Sequence, residues 1–240
     1  MSVLVKREKN NIVEFTIISG GKGENRTNQP IKVNRTQTMT PLTLEEVQKL
    51  KATLFHAFKN AKTETKRRQK ARNIVLLITA LNVGFRGSDM TTLSWSDLYN
   101  SDGTFRDDDS MMNQMKTKYT QHFIINDAVK GIFNWYVDLF DINTSSNSYI
   151  FLSQQNKPMD VERMSQIIKE SAKAAGIKRR VATHTPRKTL GRQIVEQNNG
   201  HIDALNAVRM LLGQKSIAST MHYICTPRDI IRQYSEALEM

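Results

Sequence analysis

A single cysteine, Cys225, in a chain of 240 residues leaves no internal disulfide to form, and this usage fits a reducing compartment. No apolar run approaches the roughly 18 residues of a membrane span. The opening MSVLVKREKNN offers three apolar residues before its charges, too short a core for a secretory leader, so the expected location is the cytoplasm. Neither Cys-x-x-Cys nor His-Glu-x-x-His occurs, and no metal is expected. Asp107-Asp108-Asp109 sits in a polar stretch and reads as a solvated loop. Gly20-Gly21-Lys22-Gly23 lacks the spacing of a phosphate-binding loop and has no helix after it, which argues against a nucleotide triphosphatase.

Acidic residues are also short. There are 23 Asp and Glu against 35 Lys and Arg, a formal net charge of +12. An excess of this size signals an anionic partner, of which nucleic acid is the commonest. No basic amphipathic helix with bulky aromatics stands out, so a membrane surface is the poorer candidate. At 39% hydrophobic and 24% charged, the rest reads as an ordinary globular protein.

Three zones are expected. Residues 1–40 form a basic arm: Val13-Glu14-Phe15-Thr16-Ile17 alternates like a strand, Val3-Leu4-Val5 can pair with it, and a polar Gly-rich linker follows. Residues 41–225 form the main domain, opened by the capping box Thr43-Leu44-Glu45-Glu46 with Leu42 and Val47 as a hydrophobic staple. A helix through Phe58 is followed by the cationic run Lys66, Arg67, Arg68, Lys70 and Arg72, then by a buried helix from Ile74 to Gly84. Strand signals occupy residues 104–126, and helices are expected from Asp127 to Phe140 and from Asp160 to Ala175. Thr185 and Pro186 read as N-cap and first residue of the next helix, which Asn198-Asn199-Gly200 ends. Gly213 ends another, and Ser216 caps the helix carrying Tyr223. Residues 226–240 form an amphipathic C-terminal helix that fills a groove either on its own domain or on a neighbouring protomer. The fold class is α+β and mostly helical, with one small antiparallel β-sheet.

Four segments bear on chemistry. Leu81-Asn82-Val83-Gly84-Phe85-Arg86-Gly87-Ser88-Asp89 is the first, and Met115-Lys116-Thr117 the second. Thr183-His184-Thr185-Pro186-Arg187-Lys188 is the third, and Leu211-Leu212-Gly213-Gln214-Lys215 through Met221-His222-Tyr223 the fourth. In this order they resemble the signature boxes of the tyrosine recombinases, the lambda-integrase type, over roughly residues 41–225. The resemblance implies the catalytic-domain fold of that family and cleavage of double-stranded DNA through a covalent 3′-phosphotyrosine.

It also implies roles. Arg86 and Arg187 grip the scissile phosphate, and Asp89 buttresses Arg86. Tyr223 is the nucleophile, His184 takes or shares its proton, and Lys116 is the general acid, with Lys118 the second choice. Two guanidiniums suit an accumulating negative charge because they bind phosphate oxygens bidentately and stay protonated. A phenol of ordinary pKa about 10 needs a base and a cationic site to attack near neutral pH. No metal or nucleotide is required, since the phosphotyrosine keeps the energy of the broken linkage.

Two features depart from the family pattern. Gln214 stands where members usually carry His or Trp, and its amide can donate a hydrogen bond to phosphate but cannot shuttle a proton. A simple Gln substitution is the favoured reading, with partial compensation by His222, beside Tyr223, as the alternative. The family's separate core-binding domain has no room in the 40 residues before Pro41, which implies a smaller clamp completed by the arm or by an accessory DNA-binding protein. Lys66, Arg67, Arg68, Lys70, Arg72, Lys188 and Lys215 are expected to contact DNA, and a homo-oligomer is expected to assemble on it. The leading reading is a site-specific recombinase of integrase, resolvase or invertase type. A nicking strand-transferase of relaxase-like function, or a non-catalytic DNA-binding protein of the same fold, are the alternatives; a type IB topoisomerase fits the spacing less well.

Overall fold

The computed structural model describes residues 3–7, 13–17, 39–106, 110–113, 120–224 and Ser235. The chain divides into two units, Met1–Gln37 and Thr38–Met240. In the first, β1 (Val3–Arg7) and β2 (Val13–Ile17) pair antiparallel, with Val3 opposite Ile17 and Arg7 opposite Val13. The polar linker, the three consecutive aspartates from Asp107, the Lys116 and Lys118 segment and the helix expected after Pro227 lie outside the described residues.

The second unit begins with α1 (Leu44–Lys59). Thr43 accepts the Glu46 amide at 3.2 Å, and the Glu46 carboxylate accepts the Thr43 amide at 2.9 Å, which closes the capping box. Leu42 and Val47 are both buried, as a staple requires. Next, α2 (Glu64–Val83) takes in the whole cationic run instead of starting after it, because Thr63 accepts the Lys66 amide and caps the helix there. Lys, Arg, Gln and Ala are good helix formers, so an exposed basic half runs without a break into a buried apolar half from Ile74 onward.

This long helix is the axis of the unit, packed by α1, by α5 (Asp127–Phe140) and by α7 (His184–Gln197). Its buried half lies in the main core with Leu50, Leu93, Phe133, Phe151 and Ile167. Gly84 stops it at φ +68°, a conformation that favours glycine, and a Cβ there would stand 3.2 Å from Leu190 and Leu212. Two short helices follow, α3 (Gly87–Thr91) and α4 (Trp95–Leu98). β3 (Ser110–Asn113) pairs antiparallel with β4 (Thr120–Phe123), Ser110 opposite Phe123.

α6 (Val161–Ala174) is capped by Asp160 and lies against α1 and α3. α7 starts at His184, one residue before the expected Thr185 cap. Thr185 lies inside its first turn, where its hydroxyl accepts the Ala182 amide at 3.0 Å, and Pro186 costs nothing because first-turn amides have no intrahelical partner. α8 (Ile202–Leu211) and α9 (Ile217–Ile224) close the unit, the latter capped by Ser216, whose hydroxyl accepts the Ser219 amide. With α7 they enclose a second, smaller core of Leu205, Val208, Leu212 and Ile224. Among the described residues no helix is long and apolar enough to cross a membrane.

Candidate active site

Three chain reversals deliver the charged residues to one place. The left-handed turn at Gly84 ends α2 and carries Arg86 to the start of α3, where it is half-buried. Asp89, three residues on, is 1% exposed. The first turn of α7 presents His184 and Arg187, and α9 brings in Tyr223.

Arg187 is the centre of the arrangement. It is 3% exposed, and one guanidinium nitrogen donates to the Gly84 carbonyl while another donates to the Leu212 carbonyl. These carbonyls lie at the ends of α2 and α8, so one side chain ties α7 to both. Burial pushes the Arg187 pKa down and the Arg86 charge adds to this; the phenol of Tyr223 and the carboxylate of Asp89 act in the opposite direction.

Tyr223 places its hydroxyl oxygen 3.4 Å from Nδ1 of His184, with the two rings perpendicular. Burial raises the phenol's pKa, while the charge and hydrogen bond of Arg187 and the charge of Arg86 pull it down. The phenol therefore stands between a histidine and two guanidiniums. Lys188, one residue after Arg187, holds Nζ 5.0 Å from the Tyr223 ring centroid, and partial burial lowers its pKa. Gln214 is half-buried, and its Oε1 has no hydrogen-bond partner among the described residues. Lys215 and His222 are exposed.

The cationic run of α2 does not join this cluster. Lys66 to Arg72 stand roughly 18 to 27 Å along the helix from Gly84, at 1.5 Å per residue. Arg72 donates to the Leu152 carbonyl and to Asn73, Arg68 pairs with Glu64 at 3.2 Å and lies 4.5 Å over the Phe140 ring, and Arg67 covers Phe58. Lys66 and Lys70, both exposed, make no such contact among the described residues.

One positioning feature escaped the sequence reading. Gly191, in the middle of α7, would put a Cβ 2.8 Å from Cγ2 of Ile224 and 3.0 Å from Cγ1 of Val208. The missing side chain is what lets the helix of Tyr223 approach α7 so closely. A glycine inside a helical pattern, which costs about 1 kcal/mol against alanine, was the available signal. Among the described residues no group of three or more His, Cys, Asp or Glu side chains could hold a metal ion.

Comparison with known proteins gives a consistent result. Residues 42–227 match the model of the phage integrase family. The Bacillus subtilis (strain 168) protein "Probable integrase/recombinase YoeC" is 26% identical over 191 residues, 79% of this chain and 90% of that one. Among solved structures, XerA recombinase superposes with a TM-score of 0.60 at 19% identity, over 85% of this chain and 66% of XerA. XerH site-specific recombinase, bound to palindromic difH substrate in a post-cleavage complex, gives a TM-score of 0.63 at 15% identity, over 85% of this chain and 55% of XerH. The two structures share its fold and are longer than it is. With most of its length matched by the family model, the chain belongs to the phage integrase, or tyrosine-recombinase, family.

Proposed function

We propose that this chain is a site-specific DNA recombinase that cleaves and rejoins double-stranded DNA through Tyr223. The observation that carries the reading is the phenol of Tyr223, held 3.4 Å from a histidine nitrogen and under the pull of two arginines.

In the reaction the Tyr223 oxygen attacks the scissile phosphorus and the bond to the 5′ oxygen breaks. The phenol's proton passes to His184, and the leaving 5′ oxygen takes one from Lys116. Arg86 and Arg187 offset the charge that builds on the non-bridging oxygens, in a site where no reorganisation is needed at the moment of reaction. Asp89 holds the arginines' field in place. The freed 5′ hydroxyl of a partner strand then reverses the step and releases Tyr223. Gln214, whose Oε1 has no partner among the described residues, turns its amide to present an N–H to the phosphate.

The paired strands β3 and β4 belong, in this reading, to the family's small antiparallel sheet, and Lys116 falls between them in sequence. Residues 41–225 do the chemistry, residues 1–40 track DNA, and residues 226–240 dock on a neighbouring protomer in a homo-oligomer assembled on the duplex. The structure of XerH site-specific recombinase with its palindromic difH substrate supports a duplex partner.

A second reading, a DNA-binding protein of this fold without the reaction, draws on Gln214 alone, because an amide cannot replace a proton-carrying side chain. A suicide duplex nicked beside the cleavage position separates the two. Wild type is expected to leave a denaturation-resistant protein–DNA adduct that Tyr223→Phe does not form. DNA binding without any adduct in wild type would favour the second reading.

A further inference from the structure

Outside the active site, an unassigned concentration of charge among the described residues lies where α6 ends and the chain turns back toward His184. Lys169 and Lys173 lie one helical turn apart on α6, and both are exposed. After Gly176, at φ +71°, the Ile177 amide donates to the Ala172 carbonyl at 2.9 Å and pins the turn to the helix. Lys178, Arg179 and Arg180 follow, all exposed. Lys169, Lys173, Arg179 and Arg180 wall an open depression whose floor includes Ile177 and Val181.

Arg179 is set apart by its partners. Its Nε meets the Glu46 carboxylate at 2.9 Å and another nitrogen donates to the Pro41 carbonyl at 2.8 Å, which fixes the segment to the start of α1. No carboxylate among the described residues pairs with Lys169, Lys173, Lys178 or Arg180. Four uncompensated cations therefore stand on a rigid support.

The surface also leads to the catalytic cluster. A Cβ on Gly87, the residue after Arg86, would stand 3.1 Å from Val161 at the start of α6 and 3.2 Å from Thr183. From Val161, Lys169 and Lys173 lie roughly 12 and 18 Å along the helix. Arg180 is three residues before Thr183, at most about 10 Å away. Spans of this length correspond to about three to five base pairs of a duplex, which advances about 3.4 Å per base pair.

We infer that Lys169, Lys173, Lys178 and Arg180 form a contact surface for the phosphate backbone of the duplex flanking the cleaved position. The inference rests on the DNA-cleaving reading proposed above. It moves the main electrostatic contact of this domain from the α2 run to the turn after α6. Exposed side chains on a pinned support meet phosphates with little loss of backbone freedom, and phosphate contacts give affinity and register without reading bases.

The test is the salt dependence of binding to a random-sequence duplex of about 40 base pairs, for which no target site need be known. Removing three phosphate contacts in Lys169→Ala/Lys173→Ala/Arg180→Ala should shrink the slope of log affinity against log salt by roughly 2.7. Between about 50 and 200 mM salt, affinity should then fall about 40-fold less than in wild type. The charge-keeping variant Lys169→Arg/Lys173→Arg/Arg180→Lys should retain the wild-type slope. A triple alanine variant with the wild-type slope would overturn the surface and leave the DNA reading intact. Wild type that fails to bind the duplex at about 50 mM salt would overturn that reading, and the surface with it.

Discussion

Gly191→Ala perturbs the nucleophile without touching it. The new Cβ would lie 2.8 Å from Cγ2 of Ile224, against an ordinary carbon–carbon contact of about 3.6 Å. Something must yield by about 0.8 Å, and α9 is the shortest of the three helices around that point. Overpacking of this kind costs about 1 to 3 kcal/mol, of which about 1 is returned by alanine's better helix propensity. Net stability should therefore fall by at most about 2 kcal/mol. Tyr223 precedes Ile224, and a displacement near 1 Å at a reacting atom can cost about a hundredfold in rate. Adduct formation on the nicked duplex in a single turnover should slow by about 10- to 100-fold, while duplex affinity stays at the wild-type value. Ile224→Leu removes the offending branch methyl and keeps the side-chain volume, so Gly191→Ala/Ile224→Leu should recover most of the rate. A single variant that cleaves as fast as wild type, or a double variant that stays as slow as the single one, would refute the argument.

Two further outcomes follow from the same contacts. Arg187→Ala leaves the Gly84 and Leu212 carbonyls without their donor, so the urea midpoint should report a loss of about 3 kcal/mol besides the loss of cleavage; an unchanged midpoint would remove the tie between helices. Tyr99 is buried with its hydroxyl unpaired among the described residues, and burial, then the charge of Asp138, raises its pKa far above the ordinary value. A folded pKa above the unfolded value of about 10 gives stability that is complete below pH 10 and lost as pH rises further. Thermal melts from about pH 7 to 11 should show that alkaline loss in wild type. Tyr99→Phe should reduce it and raise neutral stability by about 1 kcal/mol; an equal alkaline loss in the variant would assign it to Tyr136 and Tyr223.

Helix ends were legible in the sequence because their signals are local. The Thr43 box, Gly84, the Asn198 to Gly200 stop, Gly213 and Ser216 each act within a few residues of themselves, and each stands where the spacing put it. The cluster of Arg86, His184, Arg187 and Tyr223 was legible through a family resemblance; no periodicity brings residue 86 beside residue 223. What local pattern could not show are contacts across the chain. Arg72 reads as one more cation in a basic run until Leu152, 80 residues away, takes its guanidinium. Thr185 followed by Pro186 is a good cap signal, and it lost to the hydrogen bond that Thr185 makes with Ala182. Gly191 owes its identity to Ile224, a neighbour in space and not in sequence.

Arg187 also bears on how relatives of this chain should be judged. A residue that stitches three helices will survive in a lineage that has stopped cutting DNA, because losing it costs about 3 kcal/mol of stability. Its presence in a degenerate copy of this gene is therefore evidence of folding and says little about activity. His184 is exposed, and Tyr223 is half-buried at the edge of the small second core, its other described contacts being with His184, Arg187 and Lys188. Either can be lost at slight cost to the fold, so these two are the positions at which a silenced copy would first reveal itself.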